Sequence, residues 1–293
     1  MLTANNTHTA TRRALLRSAG RLLVTLLVCG MPSASASATL PLASGAEFAG
    51  VFAREVRPVL AVSDDEQTRY ARRLADALLS AGIDLSGAQF VLLVDRSPQV
   101  QAAFVYWRDE AGGWLFIGAA PASTGRRGGF EYFLTPLGVF EHTIAHPDFR
   151  AEGTRNELGV MGYGAEGMRV FDFGWALAER TWDDGGFSPM RLQMHATDPL
   201  LLEPRLGTAN SKGCIRIPAR LNRLLDRYGL LDADYEAALA RGLQFWVLPR
   251  DRQPTPWSGR YLVVVDSDRK ARPAWSPLPQ QRALSARPDG AAC

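Results

Sequence analysis

The sequence predicts a mostly β, α+β fold with helices at the margins of a strand-rich part. Residues 90–95 form an apolar run of strand length, and residues 101–108 and 113–119 have the pattern of a hairpin around the turn 109–112. Before them, apolar residues recur at helical spacing behind Ser63 (Tyr70, Leu74, Ala77, Leu78 and Ala81). The apolar share of 46% and the charged share of 22% are ordinary for a globular protein.

The first 38 residues predict an export signal. They contain four arginines and no acidic residue, then the apolar run 22–31, then small residues that end in Ala36-Ser37-Ala38. Thr11 to Arg17 also looks like a twin-arginine export signal. The apolar run is too short to cross a bilayer of ~30 Å as a helix, although an uncleaved anchor is the alternative. We therefore expect a periplasmic or envelope protein without a stable membrane span.

Removal of this leader changes the formal charge from +3 to −1, because it takes away four basic residues and no acidic ones. The basic character thus belongs to the leader, which argues against a nucleic-acid partner. The exported chain keeps two cysteines, Cys214 and Cys293, and a bridge between them is possible but not expected. The exported histidines (His142, His146 and His195) form no zinc-type cluster, so we expect no metal and no cofactor.

The elements in chain order predict four regions. The export signal (1–38) is followed by a tether and one helix (39–88), in which Ser63 to Glu66 forms a capping box and Gly82 ends the helix. The main domain (89–266) follows, and the Pro- and Arg-rich tail (267–293) is predicted to be disordered, from Arg269 onward.

Within the main domain, residues 150–190 are rich in glycine and aromatic residues, which suits either a lid over a cleft or ordinary loops. The other expectations are a strand at 139–144, helices from Pro218 to Gly229 and over 232–240, and late strands at 244–248 and 261–266. His142 and His146 have no partner at ligand spacing and are expected to be surface or structural residues.

The chemistry is expected between His195 and Arg216. Cys214 follows Ser211-Lys212-Gly213 in a tight turn and precedes a short strand-like run, so Lys212 and Arg216 flank the sulfur. Positive charge favours the thiolate, which is the nucleophile, and a histidine brought to it by the fold would make a Cys-His pair. The alternative is a buried, inert cysteine and a structural histidine.

This segment resembles the signature of the L,D-transpeptidases (YkuD-like domains). That signature is a histidine, a loop of under twenty residues, then Ser/Thr-His-Gly-Cys, often with an arginine soon after; His195, Ser211, Gly213, Cys214 and Arg216 match it in order. Upstream, Thr135-Pro136-Leu137-Gly138 looks like the Thr-Pro-x-Gly of the same family. The departures are Lys212, where the family usually has histidine, and Ala196, where a small polar residue or glycine often stands.

The resemblance implies a YkuD-like β-sandwich with a mixed sheet and peripheral helices, over about residues 89–250. It also implies an L,D-transpeptidase, a cysteine acyltransferase that acts on peptidoglycan stem peptides, with Cys214 as nucleophile and His195 as general base. Substrate binding is expected from Ser211, Lys212, Gly213 and Arg216, the amides of Gly213 and Cys214 holding the oxyanion.

Several alternatives stay open at this stage. Arg216 would either hold a substrate carboxylate or brace the turn. A hydrolase on the same scaffold (an L,D-carboxypeptidase or amidase) and a non-catalytic peptidoglycan-binding module are the alternative functions. We expect a monomer. Because Ala196 offers no side-chain acceptor, a backbone carbonyl is expected to fix the tautomer of His195.

Overall fold

Two mixed β-sheets carry the part of the chain that the computed structural model describes, residues 44–279. The helices are α1 (Gly45–Glu55), α2 (Asp64–Ser80), α3 (Ala219–Tyr228) and α4 (Ala233–Ala240). The strands are β1 (Gln89–Asp95), β2 (Ala102–Arg108), β3 (Trp114–Pro121), β4 (Gly138–Glu141), β5 (Phe149–Arg150), β6 (Arg169–Glu179), β7 (Phe187–His195), β8 (Ile215–Arg216) and β9 (Tyr261–Val265). The predicted mixed α+β class, with strands dominant, is confirmed.

The larger sheet has five strands in the order β3-β2-β1-β9-β4. β1 pairs antiparallel with β2 and parallel with β9, so its position is central. Alternate residues of a strand point to opposite faces, and β1 is apolar on both: Phe90 and Leu92 join one hydrophobic cluster, whereas Val91 and Leu93 join the other. The strand predicted at 90–95 is therefore buried on both sides, which explains its unbroken apolar run.

The smaller sheet has four strands in the order β5-β6-β7-β8. β6 and β7 form a long antiparallel hairpin, and β7 pairs in parallel with the short β8. Residues 150–190 were interpreted as a lid or as loops. This is wrong for most of the second half of that segment, which forms this hairpin. Gly174, at φ +78°, lies in the register shift between Asp172 and Trp175, so a bulge interrupts the alternation that would have predicted a strand.

Helix α1 was missed by the prediction of a tether over residues 39–62. The side chain of Ser44 accepts a hydrogen bond from the Glu47 amide at 3.3 Å and caps the helix. Phe48 and Phe52 then lie in the same hydrophobic cluster as the central strands. A Cβ at Gly118 of β3 would stand 2.2 Å from the Phe52 ring, so only glycine admits this contact. The segment is part of the core.

Helix α2 is confirmed, and Gly82, at φ +69°, follows its end. The capping box is wrong, because the side chain of Ser63 makes no cap hydrogen bond. The helix covers the second face of the larger sheet through Tyr70, Leu74 and Leu78.

The C-terminal part of the described chain is also more ordered than predicted. Helices α3 and α4 and strand β9 are confirmed, but residues 244–248 form no strand. Trp275, in the segment expected to be disordered, contacts the rings of Tyr70 and Phe104, both with centroids 5.8 Å away. The rest of the predicted tail and the predicted leader lie outside the described residues.

None of the helices between residues 44 and 279 is both long and apolar enough to cross a membrane.

A buried ionic cluster ties the smaller sheet to helices α3 and α4. We use this name for His142, Asp148, Arg169, Asp226 and Asp232. The Arg169 guanidinium, fully buried, donates to Asp148 at 2.6 Å and to both oxygens of Asp232 at 2.8 Å. His142 is fully buried, with Nε2 at 2.9 Å from Asp148 and Nδ1 at 2.8 Å from the Leu231 carbonyl. Its structural role agrees with the sequence prediction.

Candidate active site

The parallel pairing of β7 with β8 brings the two halves of the sequence motif together. His195 lies opposite Arg216, and the Ile217 amide donates to the His195 carbonyl at 2.9 Å. Met194 and Ile215, one residue earlier on each strand, face the core, so His195 and Arg216 face the other side. Cys214 directly precedes β8, at the end of the bend 212–214 that leads into this strand.

The imidazole of His195 is held in one orientation by the chain itself. Nδ1 lies 2.5 Å from the carbonyl oxygen of Ala196, so Nδ1 carries the proton and donates it. Nε2 is buried and has no hydrogen-bond partner within the described part of the chain. The prediction that a backbone carbonyl fixes the tautomer is confirmed, and the atom left with a lone pair is the one a general base would use.

The environment of His195 keeps the ring neutral. Burial disfavours the charged imidazolium, and the nearby Arg216 cation disfavours it further; together they lower the pKa of His195 to about 3, against the smaller opposing effect of the Ala196 carbonyl. The ring edge of Tyr163 packs against it with centroids 4.8 Å apart. A neutral imidazole can accept a proton, whereas an imidazolium cannot.

Cys214 differs from the expectation of a free thiol. Its sulfur is in a disulfide bond, whose partner lies outside the described residues, and the residue is fully buried. A disulfide sulfur is not a thiolate, so nucleophilic chemistry requires that this bond be reduced first. Cys214 lies in the predicted turn, but the expectation of a free thiol is wrong.

The turn that carries Cys214 is braced by hydrogen bonds from two predicted motifs. Ser211 Oγ donates to the Cys214 carbonyl at 2.5 Å and accepts from the Gly213 amide at 3.1 Å. Thr135 Oγ1 donates to the Gly213 carbonyl at 2.6 Å and accepts from the Gly125 amide at 2.8 Å. Ser211 is therefore an internal brace, and Thr135 joins the upstream segment to the cysteine turn.

Gly213 occupies a position that other residues would strain. Its φ is +138°, and a Cβ there would lie 2.8 Å from the terminal methyl of Met190 and 3.2 Å from Phe133. Its amide is engaged by Ser211, so the expectation that this amide holds an oxyanion does not match the geometry.

Lys212 points its ammonium toward the preceding loop. Nζ lies 3.3 Å from a carboxylate oxygen of Glu131 and 5.6 Å from the ring centroid of Tyr132. Arg126 stacks on the same ring at 4.9 Å. Lys212 thus ties the turn to residues 131–132, a structural role that the sequence did not predict.

Arg216 braces the loop before the cysteine turn. Its Nη1 donates to the Asn210 carbonyl at 2.6 Å, and the side chain is buried. Burial lowers the pKa of Arg216 to about 10; the charges of Arg205 and Arg126 add to this effect, whereas Tyr132 opposes it. Of the two predicted roles, the bracing role is confirmed, and the binding of a carboxylate stays a prediction.

Two residues near the site, Tyr163 and Arg205, were not singled out from the sequence. Tyr163 contacts the His195 ring and also lines a cavity of about 200 Å³ formed with residues 151–156, 160, 162 and 164. Arg205 is buried in the 3₁₀ turn Glu203–Arg205, and a basic residue in a polar loop carries no sign of burial.

Among residues 44–279, no group of three or more histidine, cysteine, aspartate or glutamate side chains is arranged to hold a metal ion. No family model matches the chain, and a comparison with curated proteins gives no match.

Proposed function

We propose that the chain is an exported cysteine L,D-transpeptidase, which transfers acyl groups between peptidoglycan stem peptides. The observation that carries this proposal is the register of β7 against β8, which sets His195 opposite Arg216 with Cys214 two residues before it. The hydrogen bond from Thr135 to Gly213 adds a second link, because it joins the two motifs that resemble the family.

The first step is deprotonation of the reduced Cys214 thiol. His195 Nε2 accepts the proton, and the Ala196 carbonyl stabilises the imidazolium through Nδ1. The low pKa of His195 in the closed, buried site makes this transfer unfavourable there. Productive transfer therefore belongs to a state in which substrate replaces the contacts that now bury the ring.

The acyl transfer then follows in two halves. The thiolate attacks the carbonyl carbon of a stem peptide, at the bond after the diamino acid, and forms a tetrahedral intermediate. This intermediate expels the D-alanine amine, which takes its proton from His195, and leaves a thioester on Cys214. The amine of a second stem attacks the thioester, forms a new amide and restores the thiol. No metal or cofactor takes part in the proposed route.

The oxyanion is again assigned to a backbone amide, but to one amide in place of the two expected from the sequence. Since the Gly213 amide bonds to Ser211, we assign this role to the amide of Cys214 itself. A preorganised donor of this kind is typically worth about 3–4 kcal/mol.

The two mixed sheets are compatible with a YkuD-like β-sandwich, which we propose as the finer description of the fold. The four-arginine leader supports export to the periplasm or cell envelope.

One observation favours a second candidate function. Cys214 is buried and in a disulfide, as expected for a structural cysteine in a non-catalytic peptidoglycan-binding module. The two candidates differ after reduction: a catalytic Cys214 then reacts with acyl donors, whereas a structural one does not.

The test is incubation of the reduced, full-length chain with purified muropeptides, followed by mass analysis of the products. We expect cross-linked or exchanged stems with the wild type and none with Cys214→Ala. Loss of D-alanine without exchange would indicate hydrolysis, that is, water as acceptor on the same scaffold. Binding of muropeptides with no product in any redox state would support the non-catalytic module and contradict the proposal.

A further inference from the structure

A concave, arginine-rich cleft lies between helix α3, the end of helix α1 and the segment 249–252. Its volume is about 610 Å³, and the arginines that line it are Arg54, Arg220, Arg223, Arg227 and Arg252. None of them belongs to the candidate active site. A cleft of this volume is large enough for a small organic ligand, and the chemistry of its lining decides which class of ligand fits.

Three of these arginines lie on one face of α3. Arg220, Arg223 and Arg227 are spaced by three and four residues, so their side chains leave the same side of the helix. The leucines on the other side are buried in the core. Like charges at this spacing repel each other along a helix. A bound anion would relieve this repulsion.

Most of the cationic lining has no carboxylate partner. No ion pair within residues 44–279 is formed by four exposed arginines: Arg54, Arg220, Arg223 and Arg227. Arg227 Nη2 donates to the side-chain amide oxygen of Gln253 at 3.2 Å, a neutral acceptor. Arg252 differs, since it pairs with Asp232 at 3.5 Å. Four guanidinium groups therefore keep their charge available to a ligand.

The carboxylates in the lining do not neutralise these cations. Asp226 is engaged by Arg150, whose two terminal nitrogens lie 2.6 and 3.0 Å from its oxygens. Glu55 accepts a hydrogen bond from the Tyr228 hydroxyl at 2.9 Å, which ties the end of α1 to α3. Asp251 is exposed. Four unpaired arginines thus face two further carboxylates, Glu55 and Asp251, and the cleft keeps a net positive charge.

Glu203 lies close to α3 but does not pair with its arginines. Its carboxylate accepts a hydrogen bond from the Ala219 amide at 3.1 Å. Burial raises the pKa of Glu203, whereas the Ala219 hydrogen bond and the charges of Arg223 and Arg220 oppose this rise. Because neither arginine is within ion-pair distance of a carboxylate, their N–H donors stay available.

We propose that this cleft binds a small, free organic molecule with two linked phosphate groups. Guanidinium groups match phosphate oxygens through paired N–H donors. Cations from two helices around one cavity suit a ligand with several negative charges better than a single carboxylate. The concave walls favour a free ligand, since a flat lipid surface would touch only the rim. The site goes beyond the proposed function and does not depend on it, because the acyl transfer uses no residue of the cleft.

The first test is the binding of inorganic pyrophosphate to the full-length chain, measured by calorimetry at low ionic strength, with orthophosphate for comparison. A second phosphate adds at least one charge-assisted hydrogen bond, so we expect pyrophosphate to bind roughly 10-fold more tightly or better. The affinity should fall as salt is added. Absence of pyrophosphate binding, or equal affinities for the two anions, would overturn the proposal.

The double variant Arg220→Gln/Arg223→Gln tests where pyrophosphate binds, and Arg127→Gln/Arg260→Gln is its matched control. Both double variants remove two positive charges, but Arg127 and Arg260 are already paired with carboxylates at 2.8 and 3.1 Å, respectively. We expect at least about 10-fold weaker binding in the first variant and less than about 3-fold in the control. Equal losses would show attraction by net charge alone and would overturn the proposal.

The variant Arg54→Gln tests the same cleft from helix α1. It should also weaken pyrophosphate binding, by roughly 10-fold. As a check on folding, Arg220→Gln/Arg223→Gln should unfold at the temperature of the wild type or higher, because it removes repulsion between like charges. If the double variant is less stable, Arg54→Gln decides the matter: unchanged pyrophosphate binding in it would overturn the proposal.

Sedimentation with vesicles of phosphatidylglycerol tests the membrane surface as the alternative occupant. We expect any sedimentation of the wild type with these vesicles to be equal in Arg220→Gln/Arg223→Gln. Sedimentation that requires these two arginines, in a chain that does not bind pyrophosphate, would assign the cleft to a lipid surface and overturn the proposal.

Discussion

Two histidines of this chain are equally buried and have opposite surroundings. Burial by itself lowers the pKa of His142, but the charge and hydrogen bond of Asp148 outweigh it and raise that pKa overall. His195 has no carboxylate partner in the described chain; burial and then the Arg216 cation lower its pKa to about 3. Both ring nitrogens of His142 have an acceptor, Asp148 and the Leu231 carbonyl, so His142 is a brace. Nε2 of His195 has no partner among residues 44–279. Partners, rather than burial, separate a structural histidine from a candidate base.

The largest expected effect is the loss of a partner in the buried ionic cluster. Asp148→Ala removes the carboxylate that His142 and Arg169 share and leaves two buried side chains each short of a hydrogen-bond acceptor, so the free energy of unfolding should fall by about 3–5 kcal/mol. The measurement is chemical denaturation at pH 7. Arg127→Ala is the control, because its ion pair with Glu179 at 2.8 Å is at the surface, with Arg127 72% exposed, and should change stability by less than about 1 kcal/mol. Equal losses of stability in Asp148→Ala and Arg127→Ala would show that the buried ionic cluster does not stabilise the fold.

The next effect is the dependence of stability on pH. A native pKa of about 3 for His195, against 6.5 unfolded, means that the unfolded chain binds a proton between these values and the native chain does not. The contribution of His195 to the free energy of unfolding is therefore present above pH 6.5 and is lost as pH falls toward 3. The loss is roughly 3 kcal/mol between pH 7 and pH 4. Denaturation of wild type and His195→Gln should show this extra acid loss in the wild type alone.

The stability contributed by His142 should depend on pH in the opposite direction. Its native pKa is raised, so its contribution is complete below pH 6.5 and is lost as pH rises through the native pKa. His142→Gln should remove an alkaline loss of stability, and His195→Gln an acid loss. The same direction for both variants would contradict the contrast drawn here.

A smaller effect is expected at the brace between the two motifs. Thr135→Val removes the hydroxyl that serves Gly213 and Gly125, which leaves two buried backbone groups unsatisfied, and should cost about 2 kcal/mol of stability and slow the acylation of Cys214. Thr197→Val is the matched control: the Thr197 hydroxyl is buried and has no hydrogen-bond partner among residues 44–279, so its removal should leave stability unchanged or raise it. Unchanged stability and an unchanged acylation rate in Thr135→Val would show that these two hydrogen bonds do not support the cysteine turn.

The smallest effect is expected at the position that departs from the family pattern. Lys212→His removes an ion pair with Glu131, whose side chain is 61% exposed, so stability should change by less than about 1 kcal/mol. The rate of acylation should stay within a few-fold of the wild type, because the Lys212 ammonium is engaged with Glu131 and Tyr132. A collapse of this rate would assign Lys212 a direct part in the chemistry.

The elements that the sequence predicted correctly are those in which one pattern dominates. Helix α3, with leucines at helical spacing and a left-handed Gly229 at its end, is one. The hairpin of β6 and β7 was missed because Arg169 and Asp172 are buried and charged: Arg169 pairs with the distant Asp232, and Asp172 pairs with Arg191 across the hairpin itself. Long-range pairing of this kind leaves no local signal.

The contrast between Ser44 and Ser63 shows the same limit. Both begin a Ser-x-x-Glu pattern, but only Ser44 caps its helix through its side chain. At the site, the sequence placed Cys214 and His195 together through a resemblance. It could not show the disulfide or the burial of Arg205, because each depends on how distant segments meet.

The central claim is that reduced Cys214 forms a covalent acyl-enzyme with His195 as base. The most direct measurement is the intact mass of the reduced chain after exposure to a carbapenem, which acylates enzymes of the proposed class. We predict one adduct per chain on the wild type, formed far more slowly by His195→Gln, and none on Cys214→Ala or on the unreduced chain. A reduced wild type with no adduct, or an adduct whose rate is indifferent to His195→Gln, would contradict the account.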